Sequence, residues 1–277
     1  MKQVLSTILL SFAIATWAQT PTDLPKTLPE LATILPQYVR THPKPLDIGP
    51  FGDAFEAALV KDPNSVAAAI PILSQDLQDP DQDVQFYTLA TLQRLAMQPN
   101  AAQLLSPVSA QLANAIASGG NQYIQSIALM TVTDLRTDAP DIVISPIKKL
   151  LVSRTSSDRV ILGAAETLMV TRPADEAAQT AVLTVINDPA TTKGLRQQLI
   201  YATANPLVGH LIVDNIVQVA NTADDKELRD SAIAAALQVG PSALSGIGNR
   251  LNQIINDPSE SLSSRRLARQ ALNPTEP

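Results

Sequence analysis

The chain has 277 residues and a formal net charge of −6, from 20 lysines and arginines and 26 aspartates and glutamates. This negative balance disfavours nucleic acid as a partner, because such binding relies on basic side chains that release counterions from phosphates. Cysteine is absent, which excludes disulfides and thiolate metal ligands, and aromatic residues make up only 3% of the chain, so the core must be built from Ala, Val, Leu and Ile.

Residues 1–18 have the pattern of a secretory signal peptide. Lys2 is followed by the apolar stretch Val4–Ala15 and by a small-x-small cleavage site at Thr16–Ala18, which predicts a mature chain beginning at Gln19. A retained signal anchor is the alternative, but the apolar stretch is shorter than the ~20 residues that span a bilayer. We therefore expect an exported protein, periplasmic or extracellular, with no membrane span after cleavage.

Residues 19–50 form a Pro-rich N-terminal segment that contains seven prolines. Proline disfavours a long helix and favours extended backbone, so one interpretation is a tether. The apolar residues of Leu28–Tyr38 leave a second interpretation open, in which a short helix docks against the first repeat. Residues 51–78 then predict an irregular helix pair that caps the N-terminal end of the repeats.

From residue 84 onward an apolar pattern recurs at intervals of 40, 36, 35, 33 and 34 residues. Through the first five frames the positions four, seven and eight residues after each anchor are small or apolar, which is the spacing of one helix face. The sixth frame is weak. The anchors are Val84, Ile124, Val160, Leu195, Leu228 and Leu262.

Each frame then passes a proline and enters a second apolar segment. Proline is tolerated in the first turn of a helix, where its missing N–H would be unpaired, so each frame predicts a pair of helices. The predicted fold is all-α: a right-handed α-solenoid of about six stacked antiparallel helix pairs over residues 51–272, with a frayed tail at residues 273–277. The second segments are Leu104–Ala117, Ile142–Val152, Ala174–Ile186, Leu207–Ala220 and Ala243–Ile255.

The frames resemble the HEAT-repeat family, in an exported bacterial-type member. The resemblance rests on Asp81-Gln82-Asp83-Val84 and on Asp225-Lys226-Glu227-Leu228-Arg229, which open frames as such repeats do. The arginine that often follows the anchor is present only as Arg196 and Arg229, with Gln85, Gln125 and Ile161 in the other frames. The resemblance implies a curved array whose second helices line the concave side, and it implies partner binding more often than catalysis.

Residues that could support chemistry are sparse. Asp79-x-Asp81-x-Asp83 has the alternating carboxylates of a calcium loop, but Val84 stands where such loops need Gly and Ala90 where they need Glu. The chain has only two histidines, which disfavours a zinc site with several histidine ligands and a Ser–His–Asp triad. We therefore predict no metal, no cofactor and no catalytic residue.

The leading hypothesis is a non-enzymatic scaffold that binds a protein or peptide partner on a concave surface lined by the second helices. One alternative is a cell-envelope enzyme, or a subunit of one, that acts on carbohydrate or peptide through Asp175, Glu176 and Asp214. A structural spacer is a third possibility. The candidate contact residues are Gln111, Asn114, Lys148, Gln179, His210, Asp214, Gln218, Asn249 and Gln253.

Overall fold

The computed structural model describes residues 24–42, 49–118, 121–153 and 155–273, so the predicted signal peptide lies outside the described residues. Within those ranges the chain forms sixteen α-helices and no strand. None of the described helices is long and apolar enough to cross a membrane. The helices are α1 Leu28–Thr41, α2 Gly49–Lys61, α3 Val66–Asp76, α4 Gln82–Ala96, α5 Ala101–Leu105, α6 Ser109–Ala117, α7 Gln122–Asp134, α8 Asp141–Ser153, α9 Asp158–Thr171, α10 Glu176–Ile186, α11 Lys193–Thr203, α12 His210–Thr222, α13 Lys226–Val239, α14 Pro241–Leu244, α15 Gly248–Asn256 and α16 Leu262–Leu272.

The helices stack in chain order as two layers. The first layer contains α1, α4, α7, α9, α11, α13 and α16, and each packs against the next one along the chain. The second layer contains α3, α6, α8, α10, α12 and α15. Since each frame contacts its neighbours in sequence, the fold is the all-α solenoid that the repeat predicts.

The repeated apolar positions form the core between the layers. In the frame of α4, Val84, Thr88 and Leu92 are fully buried, and in the frame of α9 Val160 and Ala164 are fully buried. Small residues at these positions let neighbouring helices approach closely: Thr133 Oγ1 of α7 lies 2.8 Å from Thr167 Oγ1 of α9. The spacing read from the sequence therefore identifies the packing face through the fifth frame.

The anchor of the sixth frame is wrong by two residues. Leu262 is 79% exposed, whereas Ser264, Ala268 and Ala271 are buried. Ser264 Oγ donates a hydrogen bond to Asp230 Oδ2 at 2.5 Å, so α16 docks on α13 partly through polar contacts. The hydrophobic pattern does not reveal this register because its first position is a serine.

The Pro-rich segment contains a docked helix, the second of the two interpretations. In α1 the side chains of Leu28, Leu31 and Leu35 are fully buried, and the helix packs against α3 and α4. Burying a leucine stabilises by about 1.5–3 kcal/mol, and an interior proline costs about 3 kcal/mol, so several leucines outweigh the interior Pro36. Residues 43–48 lie outside the described residues.

The N-cap residues of α4, α9 and α13 are polar, and two of them, Asp81 and Asp225, accept hydrogen bonds through their side chains. Asp225 caps α13 by accepting from the backbone N–H groups of Glu227 and Leu228 at 3.0 and 2.9 Å. For α4 the N-cap is Asp81, and for α9 it is Ser157. Asp83 and Asp158 therefore lie in the first turn of their helices, where a negative charge is favoured by the helix dipole.

In four frames the residue after the anchor ties its helix to a turn or a neighbouring helix end, whereas the third frame has the apolar Ile161 at this position. Amide side chains in the earlier frames do this by hydrogen bonding to backbone carbonyls, and arginines do it in the later frames. A continuous ladder of Asp–Arg pairs is therefore not formed in the described frames. The contacts are Gln85 Nε2 to Asp79 O at 2.7 Å, Gln125 Nε2 to Ile116 O at 2.9 Å, Arg196 Nη2 to Asp188 O at 3.0 Å, and Arg229 to the Glu260 carboxylate.

Candidate functional site

The predicted contact residues all lie on second-layer helices, from α6 to α15. Besides Gln179, three of them have side-chain partners within the fold: Gln111 Nε2 donates to Ser74 Oγ at 2.8 Å, Lys148 Nζ lies 3.1 Å from Asp175 Oδ2, and Gln253 Oε1 accepts from Arg250 Nη1 at 3.1 Å. The exposed members are Asn114, His210, Asp214, Gln218, Asn249 and Gln253.

Gln179 is a correction to this set, because its side chain is completely buried. Its Oε1 accepts a hydrogen bond from the backbone N–H of Ile212 at 3.3 Å. The N-cap of α12 is Gly209, which has no side chain to cap the helix, so Gln179 supplies the acceptor from the preceding frame. Gln179 is therefore a structural residue.

Of the three carboxylates in the enzyme hypothesis, Asp175 is held in a helix cap and an ion pair. Asp175 caps α10 by accepting from the N–H groups of Ala177 and Ala178 at 2.7 and 3.1 Å, and it also pairs with Lys148. Burial raises the pKa of Asp175, but the Lys148 pair and the two backbone hydrogen bonds outweigh burial, so that its pKa is lowered. Glu176 and Asp214 are exposed on α10 and α12.

Two aspartates of the calcium-like motif lie within ion-pair distance of an arginine. Arg40 of α1 pairs with Asp79, and its Nε lies 3.8 Å from Asp81 Oδ2. Asp81 Oδ1 is also committed as the cap of α4, accepting from the Asp83 N–H at 2.9 Å. A side-chain cation therefore neutralises this turn. In the described ranges no three His, Asp or Glu residues are placed to hold a metal ion.

The resemblance implies that the second layer lies on the concave side, and the packing of the helices favours the first layer instead. Contacts between successive first-layer helices are at least as extensive as those along the second layer, and they are clearly more extensive from α9 to α13. When a two-layer stack bends, the layer on the inside of the bend is the more closely packed. In α4 only Gln82 is fully exposed, whereas α12 exposes a residue in each turn. We therefore take the solvent-facing side of the first layer, from α4 to α13, as the inner face.

One position of the inner face protrudes in three consecutive frames. Six residues after the anchor lie Met130 in α7, Glu166 in α9 and Tyr201 in α11, and all three are exposed. Met130 is 49% and Tyr201 54% exposed. The half-buried residues around them are apolar toward the N-terminal end and polar toward the C-terminal end: Phe86, Ile127 and Leu162, then Gln197, Asp230 and Ser231.

Ionisable groups on the inner face are partly enclosed by the surrounding protein. Burial raises the pKa of Tyr87 in α4, of Asp134 in α7 and of Glu166 in α9. For Asp134 a hydrogen bond from Gln93 Nε2, at 3.1 Å, opposes the effect of burial. Each of these side chains is therefore partly desolvated by its surroundings although it reaches solvent.

An open groove of about 560 Å³ lies between α11 and α13 on the inner face. Two carboxylates line it, and both are paired: Glu227 Oε2 lies 2.8 Å from Lys193 Nζ, and Asp230 Oδ1 lies 2.9 Å from Arg229 Nη2. The groove can therefore offer amide, hydroxyl and aromatic contacts, but its carboxylates are held in ion pairs. The other lining residues are Gln197, Gln198, Tyr201, Ser231 and Ala234.

No protein-family model matches the chain, and no curated protein matches it. Among solved structures the chain is similar to an engineered protein from the Northeast Structural Genomics Consortium, with 18% identity, a TM-score of 0.47, and coverage of 76% of this chain and 96% of that one. It is also similar to a designed armadillo repeat protein in complex with the peptide (KR)4, with 15% identity, a TM-score of 0.38, and coverage of 90% and 99%.

Proposed function

We propose that this chain is a non-enzymatic helical-repeat scaffold that binds a protein or peptide partner on its inner face. The observation that carries the proposal is the row formed by Met130, Glu166 and Tyr201. These side chains are exposed on neighbouring helices of the inner face, and none of them is needed to fill the core between the layers. Exposed aromatic and methionine side chains with polar neighbours are typical of protein interfaces.

The inner face suits an extended partner because the same position recurs from helix to helix. Neighbouring helices in such stacks lie about 8–10 Å apart, so the three side chains lie along a line of roughly 20 Å. A peptide in an extended conformation rises about 3.3 Å per residue and would span that line with six to seven residues.

The test is a selection of phage-displayed random linear peptides on the immobilised full chain. We expect enriched peptides whose affinity, measured by fluorescence anisotropy, falls by about tenfold or more in the double variant Met130→Ser and Tyr201→Ser, which corresponds to a loss of about 1.4 kcal/mol. The matched control, Gln218→Ser with Asn249→Ser, alters exposed second-layer residues. Failure to enrich any peptide, or loss of binding only in the control, contradicts the proposal.

The non-enzymatic part of the proposal is supported by the carboxylates that are already held in helix caps or ion pairs. Asp175 is committed to a helix cap and an ion pair, and the two carboxylates of the groove are paired with Lys193 and Arg229. A general acid or base needs a carboxyl group that can exchange a proton with substrate. Hydrolysis of glycan or peptide substrates by the purified chain, abolished by Asp214→Asn, would instead support the enzyme alternative.

Export is proposed from the sequence alone, because residues 1–18 lie outside the described residues. The basic start, the apolar stretch and the small-x-small site together support a cleaved signal peptide. Mass spectrometry of the chain expressed with its N-terminus in a secretion-competent bacterium tests this directly. We expect a mature product that begins at Gln19, and a full-length product retained in the cytoplasm would contradict export.

A further inference from the structure

We infer that the bound segment carries a lysine or arginine side chain next to an apolar side chain, with the cation placed on Glu166 and the apolar group on Met130 and its neighbours. This inference rests on the proposed function, since it names the chemistry of the partner for the same inner face. It makes Glu166 a residue that selects the partner.

Glu166 is the one member of the protruding row that has a charge, and it has no partner in the described part of the chain. It makes no hydrogen bond or ion pair with any described residue. Burial alone raises the pKa of its carboxyl group. A partly desolvated carboxylate without a partner destabilises the free protein, and a cation supplied by a ligand would remove that penalty.

The helices around Glu166 do not supply such a cation. Helix α7 contains no lysine, arginine or histidine. In α9 the only basic residue is Arg159 in the first turn, seven residues before Glu166, which is a separation of roughly 10 Å along a helix axis. In α11 Lys193 already pairs with Asp225 and Glu227, and Arg196 donates to the backbone carbonyl of Asp188. None of the cations on these three described helices therefore balances the charge of Glu166, and a ligand can supply the counter-charge.

The side chains around Glu166 account for the apolar group that we expect in the bound segment. On the N-terminal side lie Met130, Ile127 and Leu162, which are exposed or half-buried apolar side chains. On the C-terminal side lies Tyr201, whose ring face can also accept a cation. A lysine stem packed against these side chains would bury apolar surface as its ammonium group reaches the carboxylate.

The overall charge of the chain favours the same partner. A formal net charge of −6 attracts basic segments over long range and speeds their encounter, with an effect that weakens as salt is added. Asp134, which is also on the inner face, accepts a hydrogen bond from the neutral amide of Gln93 and feels the nearby charge of Arg136. A basic segment therefore meets the unpaired carboxylate of Glu166 and the partly compensated carboxylate of Asp134.

The experiment compares three full chains in the same random-peptide selection: the unmodified chain, Glu166→Gln, and the matched control Asp214→Asn on the second layer. We expect the unmodified chain and the control to enrich lysine or arginine adjacent to Leu, Ile, Met or Phe. Glu166→Gln should lose the basic preference and keep the apolar one. Because the unpartnered carboxylate of Glu166 is partly desolvated, Glu166→Gln should melt at the same temperature as the unmodified chain or slightly above it.

A double-mutant cycle then isolates the contact. One enriched peptide and its copy with norleucine in place of lysine are titrated against the unmodified chain and against Glu166→Gln. We expect the norleucine change to weaken binding about tenfold in the unmodified chain and to have little effect in the variant. Equal losses in both proteins, or enriched peptides that lack a basic residue, overturn the inference while leaving the proposed function in place. A selection that enriches no peptide overturns both.

Discussion

Arg229 and Glu260 form a buried bidentate ion pair at the C-terminal end of the stack. Arg229 Nη1 lies 2.7 Å from Glu260 Oε1, and Arg229 Nη2 lies 2.9 Å from Glu260 Oε2. Only 2% of the arginine side chain and 6% of the glutamate side chain are exposed. The pair joins α13 to the turn before α16, and so it holds the closing helix in place.

Glu260→Gln should destabilise the chain by about 3 kcal/mol, because it leaves a buried guanidinium group with only Asp230 as a charged partner. Urea unfolding followed by circular dichroism measures the change. The matched control is Glu227→Gln, which alters an exposed carboxylate on the same helix as Arg229 and should have a much smaller effect. Equal midpoints for Glu260→Gln and the unmodified chain would show that the pair does not stabilise α16.

The same pair makes a prediction about acid. The hydrogen bonds from Arg229 lower the pKa of Glu260 below its ordinary value of 4.5. A group whose pKa is lowered on folding contributes stability that is present above the unfolded pKa and is lost as the pH falls through the folded pKa. The stability difference between the unmodified chain and Glu260→Gln should therefore shrink below pH 4.5. A difference that is constant with pH would assign the effect to packing alone.

Asp76 should have the opposite pH dependence. Burial, together with the nearby charge of Asp79, raises its pKa from 3.8 to about 6, and its Oδ2 is buried without a hydrogen-bond partner in the described structure. Since the folded pKa is raised, the ionised form costs stability at neutral pH and the cost disappears as the pH falls through the folded pKa.

Asp76→Asn should accordingly stabilise the chain at pH 7 by about 1 kcal/mol, which is less than the full pKa shift implies because water screens a half-buried group. The effect should vanish near pH 4, and thermal melts at the two pH values provide the measurement. A variant that is less stable than the unmodified chain at pH 7 would mean that Asp76 makes a favourable ionic contact.

Gly209→Ala should destabilise the chain by about 1–3 kcal/mol through overpacking. A Cβ at this position would lie 2.2 Å from Gln179 Nε2, and Gln179 is held because it caps α12. The control is Gly194→Ala in the first turn of α11, where a Cβ would meet nothing within 4 Å and where Ala is the better helix former. Equal melting temperatures for Gly209→Ala and the unmodified chain would contradict the capping role.

The small residues between the layers should not tolerate large replacements. Ala164 and Ala232 are fully buried, so Ala164→Phe or Ala232→Phe should cost about 1–3 kcal/mol or more. Ala177→Phe on the exposed side of α10 is the control and should leave the thermal melt nearly unchanged. Melts unchanged by both buried substitutions would contradict the assigned packing face.

The sequence predicts the fold well because each helix pair buries its own repeated positions. A run such as Val84, Thr88 and Leu92 has the period of a helix face, and burial within one helix pair is sufficient to determine which face packs inward. Features that depend on tertiary contacts were not accessible in this way. The register of α16 depends on a hydrogen bond between Ser264 and Asp230, and the burial of Gln179 depends on a glycine thirty positions later.

The sequence analysis places the candidate site on the second layer, because helix periodicity does not reveal which layer lies on the inside of a bend. The signal that could have found the inner face was present in the same alignment. Met130, Glu166 and Tyr201 share one outward position in consecutive frames, and residues that share such a position line up along a solenoid. The partial desolvation of Glu166, which distinguishes it from an ordinary surface carboxylate, depends on neighbouring helices and is visible only in the structure.

The most direct test of the inner face uses the absence of cysteine in the chain. Single cysteines are introduced as Tyr201→Cys on the first layer and Gln218→Cys on the second, and the rate of maleimide labelling is measured with and without a saturating selected peptide. We predict that the peptide slows labelling at position 201 by about tenfold or more and leaves labelling at position 218 unchanged. Protection at position 218 with free labelling at position 201 would contradict the account.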